Sequence, residues 1–197
     1  MSSRMLAISV LLSVCTMLGC SSTPASTSVG TRAVNPDLKK ALQGQPGEVA
    51  VLIFASPDCP ISNALAPEYQ RVHEQLLEGG GRMYLVHARG DVTRSAAEKH
   101  AEAYKLQMEV LLDPQQYLVQ KMDATVTPEA VVLLFKDDGS WKKIYQGKIN
   151  DLYASLGNRR DHPTQFWLRD AIDASFRGEA VEIAYRAPLG CYIERIR

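Results

Sequence analysis

The chain has 197 residues, with equal numbers of acidic and basic side chains. This length is enough for one domain with a buried core and a short appendage. The formal net charge is zero and the charges are interspersed, which argues against an electrostatic surface for nucleic acid. No nucleic-acid partner is expected.

The first twenty residues have the pattern of a targeting signal. Arg4 precedes an almost wholly apolar run over 5–18, which is too short to span a bilayer comfortably and suits a signal peptide. The run ends in Leu18-Gly19-Cys20, which resembles the lipobox of bacterial lipoproteins. That resemblance implies cleavage before Cys20 and lipid on its thiol and new amino terminus. A plain secretory peptide or a short anchor is the alternative.

This processing would divide the chain into three parts. Residues 1–19 would be the signal peptide, 20–44 a flexible tether with a short helix, and 45–197 the domain. Several acyl chains hold a protein firmly at a membrane, whereas one chain binds marginally. Under the sorting rule for Gram-negative lipoproteins, Ser21 after the lipidated cysteine implies the outer membrane. We therefore expect a lipid-anchored protein of the cell envelope that faces the periplasm.

Four cysteines occur in the chain, and their positions limit which of them can react. Cys15 would leave with the signal peptide, and Cys20 would be lipidated. The mature domain then holds only Cys59 and Cys191, in an oxidising compartment where a disulfide can persist.

Residues 49–63 join an apolar run, a polar corner, one cysteine and a helix start. The run over 49–55 is short and rich in β-branched and aromatic residues, which predicts a buried strand. Pro60 indicates that the helix begins beside Cys59, because proline is tolerated in the first turn. Unpaired N–H groups and the helix dipole favour a thiolate there. Cys59 is therefore a candidate nucleophile, and a buried structural cysteine is the alternative.

The rest of the body alternates strands with helices. Apolar residues at helical spacing predict a helix over 61–77 that Pro67 should kink. The further predicted elements are a strand over 83–86, a helix over 94–104, a strand over 108–112, a helix over 117–122, a strand over 126–135, a hairpin return over 141–145 and a helix over 166–176. This order predicts an α/β fold with a central mixed sheet flanked by helices, a C-terminal helix and an extended tail.

Four short segments carry a resemblance to a known family. They are Asp58-Cys59-Pro60-Ile61-Ser62-Asn63-Ala64-x-Ala66-Pro67-Glu68, Thr127-Pro128-Glu129-Ala130, Gly147-Lys148-Ile149-Asn150-Asp151-x-Tyr153 and Gly190-Cys191-x-Ile193. With the order of elements, they resemble the thioredoxin fold and, within it, bacterial redoxins of the alkyl hydroperoxide reductase and thiol-specific antioxidant type, over about residues 45 to 195.

The resemblance implies a site and an activity. Pro128 would be cis and would face Cys59, with the Thr127 backbone ready to pair with an extended peptide; a trans proline opening an edge strand is the alternative. The implied activity is thiol–disulfide exchange or thiol-dependent peroxide reduction, without a cofactor. Its partners would be protein thiols and disulfides, or peroxide.

The chain departs from its better-known relatives at two positions. Ser62 replaces the second cysteine of a Cys-x-x-Cys motif, so Cys59 cannot form a local disulfide. Ser56 and Cys59 keep the hydroxyl and thiol of the peroxiredoxin motif, but Leu52 stands where its proline should be. We expect Ser56, Ser62 and the helix-start N–H groups to stabilise the Cys59 thiolate.

A sulfenic acid or mixed disulfide on Cys59 needs a second thiol to resolve it. Cys191 follows the last predicted helix, and this tail could fold back toward Cys59. Three interpretations stay open: a cycling redox pair, a static disulfide that fixes the tail, or two cysteines that do not meet. We expect Cys59 to be the nucleophile, Cys191 to resolve it, and Thr127-Pro128 to shape the substrate face.

No metal site is expected, because the four histidines are scattered and no second cysteine is near Cys59. In the polar loop over 147–162, Arg159 or Arg160 could lower the Cys59 pKa or bind an anion; a solvated charged loop is the alternative. The alternative to an enzyme is a non-catalytic redoxin-fold lipoprotein that acts as a binding or structural module in the envelope.

Overall fold

The computed structural model describes residues 35–196, and the structural statements below concern this part of the chain. The predicted signal peptide, the lipidation of Cys20 and the tether up to residue 34 lie outside the described residues. Among residues 35–196, no helix is both long enough and apolar enough to span a membrane.

Helices and strands alternate through most of the described chain. In order they are α1 (Pro36–Lys40), β1 (Val49–Ala55), α2 (Pro60–Ala64), α3 (Ala66–Glu78), β2 (Arg82–His87), α4 (Arg94–Ala103), β3 (Glu109–Leu112), α5 (Tyr117–Met122), β4 (Val126–Thr127), β5 (Glu129–Phe135), β6 (Trp141–Gly147), β7 (Tyr153–Ser155), β8 (Asn158–Arg159), α6 (Trp167–Phe176), β9 (Tyr185–Arg186) and β10 (Cys191–Tyr192).

A six-stranded mixed sheet in the order β3-β2-β1-β5-β6-β9 forms the centre of the domain. β1 runs parallel to β2 and antiparallel to β5, and every one of its residues is buried. Helices cover both faces, which explains why the β1 sequence is apolar throughout instead of alternating. The predicted α/β architecture, with a central mixed sheet flanked by helices, is confirmed.

Successive side chains of β1 enter two separate core layers, as the strand period requires. Val51 and Ile53 pack in the layer covered by α3 and α6. Leu52 and Phe54 pack in the layer covered by α1 and α5. Leu38 of α1 belongs to the second layer, so the packed body includes this helix and extends toward the N-terminus beyond residue 45.

The helix after Cys59 is broken near Pro67, as predicted. α2 ends at Ala64 and α3 begins at Ala66, with Leu65 between them. Pro67 has no N–H to donate to the carbonyl oxygen four residues earlier, so one straight helix cannot continue through it.

The C-terminal tail forms two short strands that the sequence did not predict. β9 runs parallel to β6, and β10 pairs with β4 in a separate two-stranded sheet. Gly147 of β6 has φ +130°, and a Cβ there would lie 1.7 Å from the carbonyl oxygen of Arg186. A glycine is therefore needed where β9 meets β6.

Candidate thiol site at the cis-proline corner

Cys59 lies at the junction of β1 and α2. It is the N-cap residue of α2, with Pro60 in the first turn, so the predicted helix start is confirmed. Its backbone N–H donates to the Ser56 carbonyl oxygen at 3.1 Å, and its own carbonyl oxygen accepts from the Asn63 N–H at 3.0 Å. The residue is only 1% exposed, so access to the sulfur is restricted.

The peptide bond between Thr127 and Pro128 is cis, which confirms the prediction made from the resemblance. This corner separates β4 from β5 and faces Cys59. The Cys59 thiol donates to the Thr127 carbonyl oxygen at 3.0 Å. The two predicted parts of the site, which are far apart in sequence, are therefore in direct contact.

The buried carboxylate of Glu129, which follows the cis bond in the chain, holds the backbone that precedes this bond. Its Oε2 accepts the N–H groups of Thr125 at 2.7 Å and Val126 at 3.3 Å. Its Oε1 accepts from Nε2 of Gln146 at 2.6 Å. No role for Glu129 was predicted from the sequence, although a lone acid at the start of an apolar strand indicates a buried, hydrogen-bonded carboxylate.

The tail folds back onto this corner and brings the second cysteine with it. β10 pairs antiparallel with β4, and Cys191 lies directly opposite Thr127. Both Cys59 and Cys191 are free thiols, and Cys191 is exposed. Of the three interpretations that the sequence left open, the one in which the cysteines do not meet is wrong.

Gly190 permits this close approach. A Cβ at Gly190 would lie 2.1 Å from the Thr127 carbonyl oxygen and 2.9 Å from the Pro128 nitrogen. These are backbone atoms, which cannot move aside as the end of a flexible side chain can. Only glycine fits between the tail and the cis bond.

The surroundings shift the two thiol pKa values in opposite directions. Burial raises the pKa of Cys59, but hydrogen bonds from the Cys191 thiol, the Ser62 backbone N–H and other donors outweigh burial, so the pKa is lowered overall. Burial and the hydrogen bond to Cys59 raise the pKa of Cys191 to about 11. A protonated Cys191 beside an ionised Cys59 is the arrangement that these shifts favour.

The two serines predicted to stabilise the thiolate occupy different places. Ser62 is fully buried, and its hydroxyl lies 3.2 Å from the hydroxyl of Tyr69. Its backbone N–H helps to lower the Cys59 pKa. Ser56 is buried beside Cys59 and lines the adjacent cavity. The roles of both side chains stay predictions.

A cavity of about 570 Å³ opens beside the two thiols. Cys59, Thr127 and Cys191 border it. The Arg89 guanidinium, which also borders the cavity, bridges the carboxylates of Asp58 and Asp91, so its charge is already paired. Ligand sites in proteins have volumes of about 300–1,000 Å³, so the cavity can hold a small molecule.

Two histidines that the sequence showed as scattered lie together beside the site, and His87 also borders the cavity. The ring centroids of His87 and His100 are 5.3 Å apart, with the rings edge to face. Nδ1 of His87 lies 3.0 Å from the Ala55 carbonyl oxygen, while its buried Nε2 has no partner among the described residues. Burial lowers the pKa of His87 to about 4, so its ring is neutral at pH 7.

Asn63 connects the second histidine to the thiol corner. Its Nδ2 donates to the Pro57 carbonyl oxygen at 2.7 Å, which fixes the orientation of the amide. Its Oδ1 therefore accepts from Nε2 of His100 at 2.9 Å. Parallel strands end at one edge of a sheet, so His87 at the end of β2 was predictable as a neighbour of the corner after β1. Among residues 35–196, no group of three or more potential metal ligands occurs.

The polar loop over 147–162 lies apart from the thiols. Arg160 pairs with the Asp151 carboxylate at 3.3 Å, and Arg159 is exposed on β8. Asp151 also accepts the N–H groups of Thr164 at 2.6 Å and Gln165 at 2.9 Å. Neither arginine borders the cavity or contributes to the pKa shift of Cys59. These contacts support a structural loop.

No protein-family model and no curated protein matches the sequence. Solved structures do match the fold. A hypothetical protein from Sinorhizobium meliloti 1021 has a TM-score of 0.64 and 19% identity, over 81% of this chain and 84% of that chain. An uncharacterized conserved protein from Geobacillus kaustophilus has a TM-score of 0.63 and 20% identity, over 81% and 82%.

A candidate thioredoxin from Neisseria meningitidis is also similar, with a TM-score of 0.50 and 19% identity, over 73% of this chain and 82% of that chain. At these identities the likeness shows the fold. Together with the mixed sheet, the cysteine at a helix start and the cis-proline corner, it shows that this chain has the thioredoxin-like fold.

Proposed function

We propose that this protein is a thiol-dependent oxidoreductase in which Cys59 is the nucleophile and Cys191 the resolving thiol. The observation that carries the proposal is the pairing of β10 with β4, because it holds an exposed second thiol beside a buried cysteine of lowered pKa. An inert scaffold has no need of this arrangement. The fold adds support, since a candidate thioredoxin shares it.

The cycle removes two electrons from the cysteine pair. The Cys59 thiolate attacks one atom of an O–O or S–S bond; that bond breaks, and the departing oxygen or sulfur anion takes a proton. Cys191 then attacks the Cys59 sulfur and loses its proton, a disulfide forms, and water or a second thiol departs. An external dithiol returns both cysteines to thiols by exchange, and it becomes a disulfide itself.

The neighbouring groups are suited to this order of events. A lowered pKa increases the fraction of Cys59 that is thiolate at a given pH, and the proton on Cys191 can stabilise that thiolate by hydrogen bonding. When Cys59 is oxidised its negative charge disappears. The contribution of that charge to the raised pKa of Cys191 disappears with it, which makes the second thiol more acidic at the step where it must attack.

We also propose that the protein works at the cell envelope, held by lipid on Cys20 and facing the periplasm. The basis is the apolar run that ends in Leu18-Gly19-Cys20. Loss of membrane partitioning in Cys20→Ser, with the folded domain retained, is the expected result. Membrane partitioning that is unchanged in this variant would refute the anchor.

Oxidant consumption tests the proposed activity. The mature chain from residue 20, with Cys20→Ser, is reduced and mixed with hydrogen peroxide under excess dithiothreitol, and the rate of the protein-free mixture is subtracted. Cystine, which dithiothreitol reduces directly, is mixed with the reduced protein alone, and loss of the Cys59 thiol is followed. We expect this protein to consume the oxidant catalytically and Cys59→Ser not to do so. Cys191→Ser should consume one equivalent of oxidant and then turn over only slowly, because the reductant must reduce oxidised Cys59 directly. Equal consumption with and without Cys59 would leave the non-catalytic scaffold as the better account.

A further inference from the structure

The backbone edge beside the cis-proline is occupied by the protein itself. In the described residues, β4 has one pairing partner, β10 of the tail. Cys191 lies opposite Thr127, and the Ile193 N–H donates to the Thr125 carbonyl oxygen at 2.9 Å. An extended polypeptide would need this same edge, because strand addition uses the free main-chain groups of an exposed edge.

The tail is anchored beyond this pairing. The Gln116 side chain donates to the Glu194 carbonyl oxygen and accepts the Ile196 N–H at 3.1 Å. The Arg195 guanidinium donates to the Ala124 carbonyl oxygen at 2.9 Å. Ile193 is buried in the same core layer as α5. A chain end with this many contacts differs from the loosely held termini of most domains.

The docked tail and the burial of Cys59 restrict the approach to the sulfur. Cys59 is 1% exposed, its thiol is directed at the Thr127 carbonyl oxygen, and the tail covers the neighbouring edge. The cavity of about 570 Å³ borders Cys59, and residues of the tail and of the Arg89 ion pairs line it as well. This volume suits a small molecule and not a folded or extended chain.

We infer that Cys59 reacts with a low-molecular-weight oxidant that enters through this cavity, and that the docked tail excludes extended polypeptide disulfides. The inference rests on the proposed function and specifies its substrate class. The oxidant carries an O–O or S–S bond, as in a small hydroperoxide or a low-molecular-weight disulfide such as cystine. Cys191, the exposed thiol of the pair, is then the cysteine that a macromolecular reductant contacts.

The test compares a small oxidant with a large one. Loss of the Cys59 thiol is followed in the mature Cys20→Ser chain with hydrogen peroxide, with cystine, and with an unfolded disulfide-linked peptide of about twenty residues. Gly190→Val is the tail-releasing variant, because its side chain would overlap the Thr127 carbonyl oxygen. Tyr185→Ala is the matched control in the same tail, since this side chain is 61% exposed and does not border the cavity.

We expect at least one small oxidant to react about tenfold or more faster than the peptide disulfide in the parent chain and in Tyr185→Ala. In Gly190→Val the ratio of the peptide rate to the small-oxidant rate rises about tenfold, because loss of the Cys191 hydrogen bond affects the Cys59 thiolate equally for both oxidants. Ile193→Ser, which removes a buried anchor of the tail, provides a second release variant should Gly190→Val not fold.

The outcomes separate the inference from the proposed function. A parent chain that reacts equally fast with peptide and small oxidants, or a ratio that neither release variant changes, would overturn the inference alone. Absence of Cys59 oxidation by every oxidant in every folded variant would overturn the proposed function as well. A reaction with only hydrogen peroxide or only cystine supports the inference and identifies which bond is cleaved.

Discussion

Thr127 lies directly opposite Cys191 in the antiparallel pair of β4 and β10. The Thr127 carbonyl oxygen also accepts the Cys59 thiol at 3.0 Å, so one residue contacts both halves of the cysteine pair. The cis bond that follows Thr127 presents its backbone to both thiols. The site is thus assembled from a helix start, a cis-proline corner and the C-terminal tail.

The two thiols should ionise in different pH ranges. The Cys59 pKa is lowered and the Cys191 pKa is raised to about 11. Alkylation of Cys59 should therefore reach half its maximal rate at a lower pH than alkylation of Cys191. Cys191→Ala removes a hydrogen-bond donor and should raise the Cys59 pKa, whereas Cys191→Ser keeps a donor and should raise it less. Iodoacetamide rates against pH measure this, and identical profiles for the two variants would contradict it.

Removal of the Glu129 carboxylate should destabilise the corner. Glu129→Ala leaves the Thr125 and Val126 N–H groups and the Gln146 amide without their buried acceptor. We expect the free energy of unfolding to fall by about 3 kcal/mol in urea. Glu182→Ala, at an exposed position, is the control and should change it by less than about 0.5 kcal/mol. Similar losses in both variants would argue against this role for Glu129.

Gly147 and Gly157 allow a matched test of the contact between β6 and β9. Both have positive φ, at +130° and +77°, but only a Cβ at Gly147 would meet backbone, at 1.7 Å from the Arg186 carbonyl oxygen. Gly157→Ala should cost about 1 kcal/mol from backbone strain alone. Gly147→Ala should cost clearly more, because the parallel pairing must open as well. Equal losses of stability on urea unfolding would show that the close approach is not needed.

Acid should destabilise the fold through its buried histidines. Burial lowers the pKa of His87 from 6.5 to about 4, so between these values the unfolded chain binds the proton and the folded chain does not. The free energy of unfolding should therefore fall as pH drops through this window, with His87 contributing up to about 3 kcal/mol. Burial lowers the pKa values of His100 and His73 in the same direction.

Urea unfolding at several pH values measures this dependence. His87→Gln should flatten it, because the variant has no imidazole to protonate. Ser155→Gln, which changes an exposed side chain that does not titrate, is the control and should leave the slope unchanged. A His87→Gln protein whose stability falls with acid as steeply as the parent would contradict the assignment.

Local patterns predicted the parts of this fold whose causes are local. The apolar run over 49–55, the break near Pro67 and the helix start at Cys59 each follow from a few adjacent residues. The cis bond at Thr127-Pro128 is a different case: nothing in its own residues requires it, and the prediction came from a family resemblance.

The parts that were missed depend on distant partners. The register that places Cys191 opposite Thr127 joins two segments of two residues each, too short to show strand periodicity. Glu129 and Gln146 likewise meet only across paired strands. Gly190 is a glycine for a reason that becomes visible only when the Thr127 carbonyl oxygen is beside it. Such contacts leave no local pattern to recognise.

Peptide mapping of the oxidised mature chain tests the central claim most directly. Reduced Cys20→Ser protein is treated with one equivalent of hydrogen peroxide or cystine, alkylated, digested without reductant and analysed by mass spectrometry. The account predicts an intramolecular disulfide between the Cys59 and Cys191 peptides, which dithiothreitol reverses. Recovery of both cysteines as alkylated thiols, or of Cys59 only as a stable adduct while Cys191 stays free, would contradict it.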